Sequence, residues 1–213
     1  FNKGGLFYSR RIGGEPIHRY DFSVGSNEQI SKNPAQSKLY NATKFSGRTQ
    51  KGLGIGILNA VTRPQFAEIE NLNSKETRKV ETNPLTNYNI LVFDQTLKHN
   101  SSISFINTST LRSGKDRDAN VSALLFDFND KKNKWNVGGS ASVSNVLGKD
   151  GKNTTGYSHS VYFGKTSGKF NFNISQELYD SKYENYSNHI TSSALLLGFS
   201  HFEDFMTKAI TQF

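Results

Sequence analysis

From Trp135 to Val146 the chain alternates between two kinds of side chain. Trp135, Val137, Ala141 and Val143 fall on odd positions, with Gly139 and Asn145 between and after them; Asn136, Gly138, Ser140, Ser142 and Ser144 fall on even ones. A strand turns successive side chains to opposite faces, so this segment has one mostly apolar face and one small polar face. Two further stretches repeat the pattern. Leu53, Ile55, Ile57 and Val61 alternate with Gly54, Gly56 and Ala60, with Asn59 interrupting the apolar set, and Phe170, Phe172 and Ile174 alternate with Asn171, Asn173 and Ser175. Strands of this kind leave an apolar face that either other protein or lipid has to cover.

Composition favours lipid. Only 34% of the 213 residues are hydrophobic, yet 12% are aromatic. A soluble core of this size draws more heavily on Leu, Ile and Val, whereas a membrane barrel needs apolar residues on its outward face alone. The competing expectation is a polar, soluble β-sandwich. No stretch approaches the length of a membrane-spanning helix, the longest apolar runs being Ile90 to Phe93, Ala123 to Phe126 and Ala194 to Leu197, so any crossing must be made by strands. The chain has no cysteine, which excludes disulfides and thiolate metal sites. It starts at Phe1 without an initiator Met or an export signal, so the expectation is a mature or internal fragment.

The net charge of +8 is scattered through turns, at Arg48 and Lys51, at Lys131, Lys132 and Lys134, and at Lys149 and Lys152. Solvated turns beside anionic lipid head groups explain this better than nucleic-acid binding, which would need a basic stripe or a recognition motif.

The spacing predicts an irregular segment over residues 1 to 36, read as a luminal plug, and antiparallel strands from 37 to 213. The strands are expected at Lys38–Gly47, Gly52–Thr62, Asn87–Lys98, Ser101–Leu111, Ala119–Phe128, Trp135–Val146, Gly156–Thr166, around Phe170–Ser175 and at Ile190–His201. His99-Asn100 and Ser167-Gly168 read as tight turns, and Arg63 to Thr86 as a long charged loop. Connections therefore alternate short with medium or long. Outer-membrane barrels keep their short turns on the periplasmic side and their longer loops outside. The fold expected is an all-β antiparallel transmembrane barrel, with about 8–10 strands of an incomplete barrel in this chain. An odd strand count implies further strands or partner chains, because an open edge in lipid is severely unfavourable.

Three strings carry a resemblance: Gly5-Leu-Phe-Tyr-Ser-Arg-Arg-Ile-Gly13; Ala42-Thr-Lys-Phe-Ser-Gly-Arg-Thr49 continued by Gly52-Leu-Gly-Ile-Gly-Ile-Leu-Asn-Ala60; and Asn87-Tyr-Asn-Ile-Leu-Val-Phe-Asp94. Together they resemble an uncharacterised family of Bacteroidota outer-membrane β-barrel proteins, over about Phe1 to Asp180. Members often carry a preceding domain similar to family 9 carbohydrate-binding modules, which would lie before Phe1. The resemblance implies a bacterial outer-membrane location and a loose link to carbohydrate handling through that absent domain. Where the family has an Asn-Asp-hydrophobic-Gly motif after Tyr179, this chain reads Tyr183-Glu-Asn-Tyr-Ser-Asn-His-Ile190.

Candidate chemistry is sparse. Arg10 and Arg11 suit either an anionic ligand or ion pairing with an inward acid such as Asp94, and the pairing is the expectation. Gly52, Gly54 and Gly56 lack the strand-then-helix setting of a phosphate loop. The histidines (His18, His99, His159, His189, His201) show no metal-ligand spacing. Asp94 and Asp127 form the one carboxylate pair worth weighing for glycoside hydrolysis, although charged residues are ordinary in a barrel lumen. The Asn-x-Ser/Thr sequons at Asn41, Asn107, Asn120 and Asn173 fall inside expected strands, which argues against glycosylation. Leu53, Ile55, Ile57, Phe170, Phe172 and Ile174 are expected to face lipid, and Tyr88, Trp135, Tyr157 and Tyr179 to form an aromatic girdle. The function expected is non-enzymatic, in transport or as a cell-surface scaffold. No cofactor or metal is expected. The partners would be outer-membrane lipid and lipopolysaccharide, together with other outer-membrane proteins. The alternative is a soluble carbohydrate-binding or adhesin module.

Overall fold

The computed structural model describes residues 12–184 and the backbone of 193–200. Twelve strands occur in chain order: β1 Glu28–Lys32, β2 Leu39–Arg48, β3 Leu53–Thr62, β4 Gln65–Asn71, β5 Thr77–Asn83, β6 Thr86–Thr96, β7 Ser102–Arg112, β8 Asp118–Asn129, β9 Trp135–Leu147, β10 Asn153–Lys165, β11 Asn171–Tyr179 and β12 Ser193–Ser200. There is no α-helix among the described residues. Nine strands form one antiparallel sheet in the order β12-β11-β10-β9-β8-β7-β6-β3-β2, and β1-β4-β5 form a second, smaller one.

The large sheet is a meander of hairpins. Between β6 and β7, His99 and Asn100 both take φ near +58°, and the Ser101 amide donates to the Lys98 carbonyl. Two successive positive φ values give the turn twist that matches the strands on either side. Asn tolerates that region, and the strand registers continue without a shift from Thr86↔Arg112 to Thr96↔Ser102.

The loop expected from Arg63 to Thr86 is instead a hairpin, β4–β5, extending the β3–β6 ribbon. Its strands alternate Ala67 and Ile69, both essentially fully buried, with Glu68 and Glu70, but the density of charge masks that period-two signal. The ribbon breaks where Pro64 and Pro84 face one another between the Thr62↔Thr86 and Gln65↔Asn83 pairs. Proline has no N–H to give the ladder. Asn83 Nδ2 (2.8 Å) and Thr86 Oγ1 (3.1 Å) donate instead to the Pro84 carbonyl. Residues 28–32, expected to be irregular, form β1 and pair with β4.

The described strands do not close a barrel. β2 and β12 are the two edges of the nine-stranded sheet. With antiparallel neighbours throughout, they run in the same direction, so pairing them directly would make a parallel contact.

Register divides the large sheet into two faces. One carries Gly54, Gly56, Ala60, Asp94, Ser104, Thr108, Thr110, Ser140, Ser142, Ser144, Ser158 and Ser160. This small-residue face is the covered one. At its centre Ile90, Val92, Ile106, Val121 and Ala123 form a buried cluster, against which Ile12 of the N-terminal segment packs. The other face carries Phe93, Phe105, Leu124, Val137, Val143, Val161 and Phe163, all large, apolar and exposed.

Candidate functional site

The covered face is organised around carboxylates held by neighbours. Asp127 on β8, Gly138 on β9 and Tyr162 on β10 lie in one cross-strand row. A Cβ on Gly138 would stand 2.2 Å from the Tyr162 hydroxyl. Its absence lets the tyrosine ring lie across β9 and donate to Asp127 at 2.5 Å. Asn129 Nδ2 (2.9 Å) and Asn136 Nδ2 (3.0 Å) donate to the other oxygen of Asp127. Ser104 Oγ donates to Asp94 at 2.7 Å, and Arg48 from β2 forms an ion pair with the same carboxylate. Both carboxylates are thus taken up by neighbouring side chains, Asp127 by Tyr162, Asn129 and Asn136, and Asp94 by Ser104 and Arg48.

Beside Asp127 the face opens into a groove of about 410 Å³, lined by Ser140, Ser160, Tyr162, Glu177 and Tyr179 among others. Ser140 and Ser160 hydrogen-bond across the strands at 2.9 Å, and Ser142 and Ser158 at 2.7 Å. Hydroxyls, two carboxylates and two phenols suit a polar solute recognised by hydrogen bonds.

Two chain segments cross this face. After β11 the chain turns back so that Ser142 Oγ donates to the buried Tyr183 hydroxyl at 2.7 Å, and the Glu184 amide donates to Ser144 Oγ at 3.1 Å. Gly156 makes room: a Cβ there would lie 2.2 Å from the Tyr183 nitrogen. On the N-terminal side, the His18 ring bonds Asp21 at 2.9 Å and Asp116 in the β7–β8 turn at 2.6 Å. These contacts raise the His18 pKa above 6.5, the Asp21 hydrogen bond contributing most. Ile17 and His18 also donate backbone N–H groups to Asn83 Oδ1 and the Thr82 carbonyl.

On the apolar face, Leu53, Ile55 and Ile57 share a side with Phe93, Phe105 and Leu124, and Phe172 and Ile174 share it with Phe163. Phe170 meets Phe172 at a ring separation of 5.9 Å. Trp135 stacks on Phe163 at 5.6 Å, with Phe172 edge-on to both, at the end of the sheet away from the β4–β5 ribbon. Tyr157 lies on this face at the opposite end. Tyr88 and Tyr179, expected beside them in a girdle, lie on the small-residue face, paired with Ala60 and Ser158. Strand position alone suggested a girdle for all four, but parity within each strand separates them. A straight polar row also crosses the apolar face: Thr43, Asn59, Asn89, Ser109, Asn120, Asn145 and Thr155 pair strand by strand from β2 to β10. Asn59 Nδ2 donates to both Asn87 and Asn89 at 2.7 Å, and Thr155 Oγ1 to Asn145 at 2.8 Å.

Arg10 and Arg11 lie outside the described residues, and the partners described for Asp94 are Arg48 and Ser104. The sequence offered no sign of Tyr162, Gly138, Tyr183 or the His18–Asp116 contact, because each depends on a register that only pairing reveals. Among the described residues no group of three or more His, Cys, Asp or Glu is placed to hold a metal ion.

No curated protein and no solved structure matches the chain. A family model does, across residues 1–191, and the chain accordingly belongs to the family described as a domain of unknown function (DUF5916).

Proposed function

We propose that this chain forms the greater part of a β-barrel in a bacterial outer membrane, acting in transport or as a cell-surface scaffold rather than as an enzyme. The observation that carries this reading is the inverted polarity of the large sheet. Its covered face holds Gly, Ser and Thr around one aliphatic cluster, while its exposed face holds Ile57, Phe93, Phe105, Leu124, Trp135, Val143, Phe163 and Ile174. A water-soluble sandwich would cover the second set first. A barrel in lipid needs the reverse, with a polar interior and an apolar band outside. Five-residue turns occur at both ends of the large sheet, but the β4–β5 ribbon projects from one end only, which supports an orientation with that end outside. Closure needs at least one more strand, because β2 and β12 run in the same direction and outer-membrane barrels are antiparallel throughout. In this reading Ile12, His18 and Tyr183 belong to segments that narrow the lumen, and outer-membrane lipid and lipopolysaccharide are the surrounding partners.

The test is gel mobility of the protein from an outer-membrane extract, with and without boiling. A shift on boiling is expected of a closed, detergent-resistant barrel. A soluble protein with no shift overturns the reading.

One observation favours a second reading, a soluble carbohydrate-binding or adhesin module: β2 is exposed along its whole length, a free edge that water satisfies and lipid does not. The fractionation that accompanies the gel separates the two.

A further inference from the structure

At the ribbon end of β2 and β3 a groove of about 750 Å³ lies between the β1–β2 connection and the β4–β5 ribbon. Lys32, Lys38, Arg63 and Lys79 line it, with Glu68 as the one carboxylate. Glu68 is shared between Lys32 Nζ at 3.5 Å and Lys79 Nζ at 3.9 Å. Among the described residues no carboxylate lies within ion-pair distance of Lys38 or Arg63. The Arg63 guanidinium rests over the Tyr40 ring, 5.2 Å from its centroid, which fixes its position without neutralising its charge. The groove therefore keeps an excess of positive charge on one wall. Its rim is apolar: Leu39, Tyr40 and Phe66 are all exposed.

We infer that this groove holds the phosphate-bearing head group of an anionic glycolipid of the outer leaflet. The inference rests on the barrel reading, which puts the ribbon end of the sheet at the outer surface. One feature selects a lipid over a free anion. Phe66 lines the groove and Tyr40 is exposed beneath Arg63, so a ligand whose acyl chains lie along these rings brings its phosphates to Lys38 and Arg63. An arginine fork matches two phosphate oxygens at once. Free phosphate gains nothing from the apolar rim.

The experiment uses the full chain folded in a neutral detergent. Its thermal melting is followed during titration with lipid A, with dephosphorylated lipid A, and with inorganic phosphate at matched phosphate concentration. Binding to the folded state alone raises the melting midpoint by mass action. The expected result is a rise with lipid A only, and a loss of affinity of about tenfold or more in the double variant Lys38→Gln, Arg63→Gln, as two charge-assisted contacts disappear. Boiling-dependent gel mobility is recorded on the same samples. A barrel that passes that check and responds equally to lipid A and its dephosphorylated form overturns the head-group site alone. A response to inorganic phosphate matching that to lipid A overturns the lipid as ligand. Unchanged affinity in the double variant overturns the assignment of these cations. A protein with no mobility shift overturns the barrel reading itself.

Discussion

Tyr162 reaches across the full width of β9 to Asp127, with its hydroxyl 2.5 Å from the carboxylate, and Gly138 is what lies beneath it. Three adjacent strands are thereby tied together by one side chain. Tyr162→Phe removes a hydrogen bond to a charged acceptor and should cost about 1–3 kcal/mol. Gly138→Val should cost at least as much, since its Cβ would stand 2.2 Å from the tyrosine hydroxyl. Urea unfolding of the two variants and of their combination checks this. Strict additivity would show that the glycine does not act through the Tyr162 hydroxyl, since phenylalanine keeps the ring carbon 2.3 Å from the same Cβ.

The hairpins of the large sheet were largely legible in the sequence. Period-two alternation located the strands from Leu53 to Ile174, and His99-Asn100 marked its turn correctly, because both signals are local. The β4–β5 hairpin was missed because Glu68, Glu70, Arg78 and Lys79 gave it the composition of a loop. The Tyr162–Gly138–Asp127 row and the polar row through Asn89 were beyond reach for another reason. Each joins residues of different strands, and composition within one strand does not fix register between two. Tyr88 and Tyr179 show the same limit, being near strand ends as expected but on the opposite face.

Gly156 should be intolerant of any side chain. A Cβ there would stand 2.2 Å from the Tyr183 nitrogen and 2.3 Å from the Lys182 carbonyl carbon. Both are backbone atoms, so the 180–184 turn must lift away. Gly156→Ala is expected to speed tryptic cleavage after Lys182 on the order of tenfold, the effect of about 1.4 kcal/mol in local opening. An unchanged cleavage rate would mean that the turn does not rest on this glycine.

The N-terminal segment should loosen with rising pH. His18 has its pKa raised in the folded state by Asp21 first, and also by Asp116. Its contribution is therefore fully present below 6.5, the unfolded value, and is lost as pH rises through the higher folded value. Hydrogen exchange of residues 14–21, after division by the intrinsic amide rate at each pH, should quicken as pH rises above 6.5 and through the higher folded value, and His18→Gln should remove that dependence. Glu28 behaves in the opposite sense. The Arg78 hydrogen bond, then the Gly25 amide, lower its pKa from 4.5 to about 2. Its contribution is present above 4.5 and disappears as pH falls toward 2, so the β1–β4 pairing should fray in acid.

Charge placed on the apolar face should be penalised according to depth. Ile55 lies within the apolar field, flanked by Phe93 in the next strand, whereas Asn145 belongs to the polar row nearer the ribbon end of the sheet. In a barrel, arginine costs about 2–4 kcal/mol at the bilayer midplane and about 0–1 near the interface. Ile55→Arg should therefore depress the yield of heat-modifiable protein strongly, and Asn145→Arg only slightly. In a soluble module both positions face water and neither substitution should matter much, since exposed changes usually stay within about 0.5 kcal/mol. The contrast between the two variants, measured in one membrane preparation, tests the inverted polarity of the sheet directly. Equal yields would mean that no lipid meets this face.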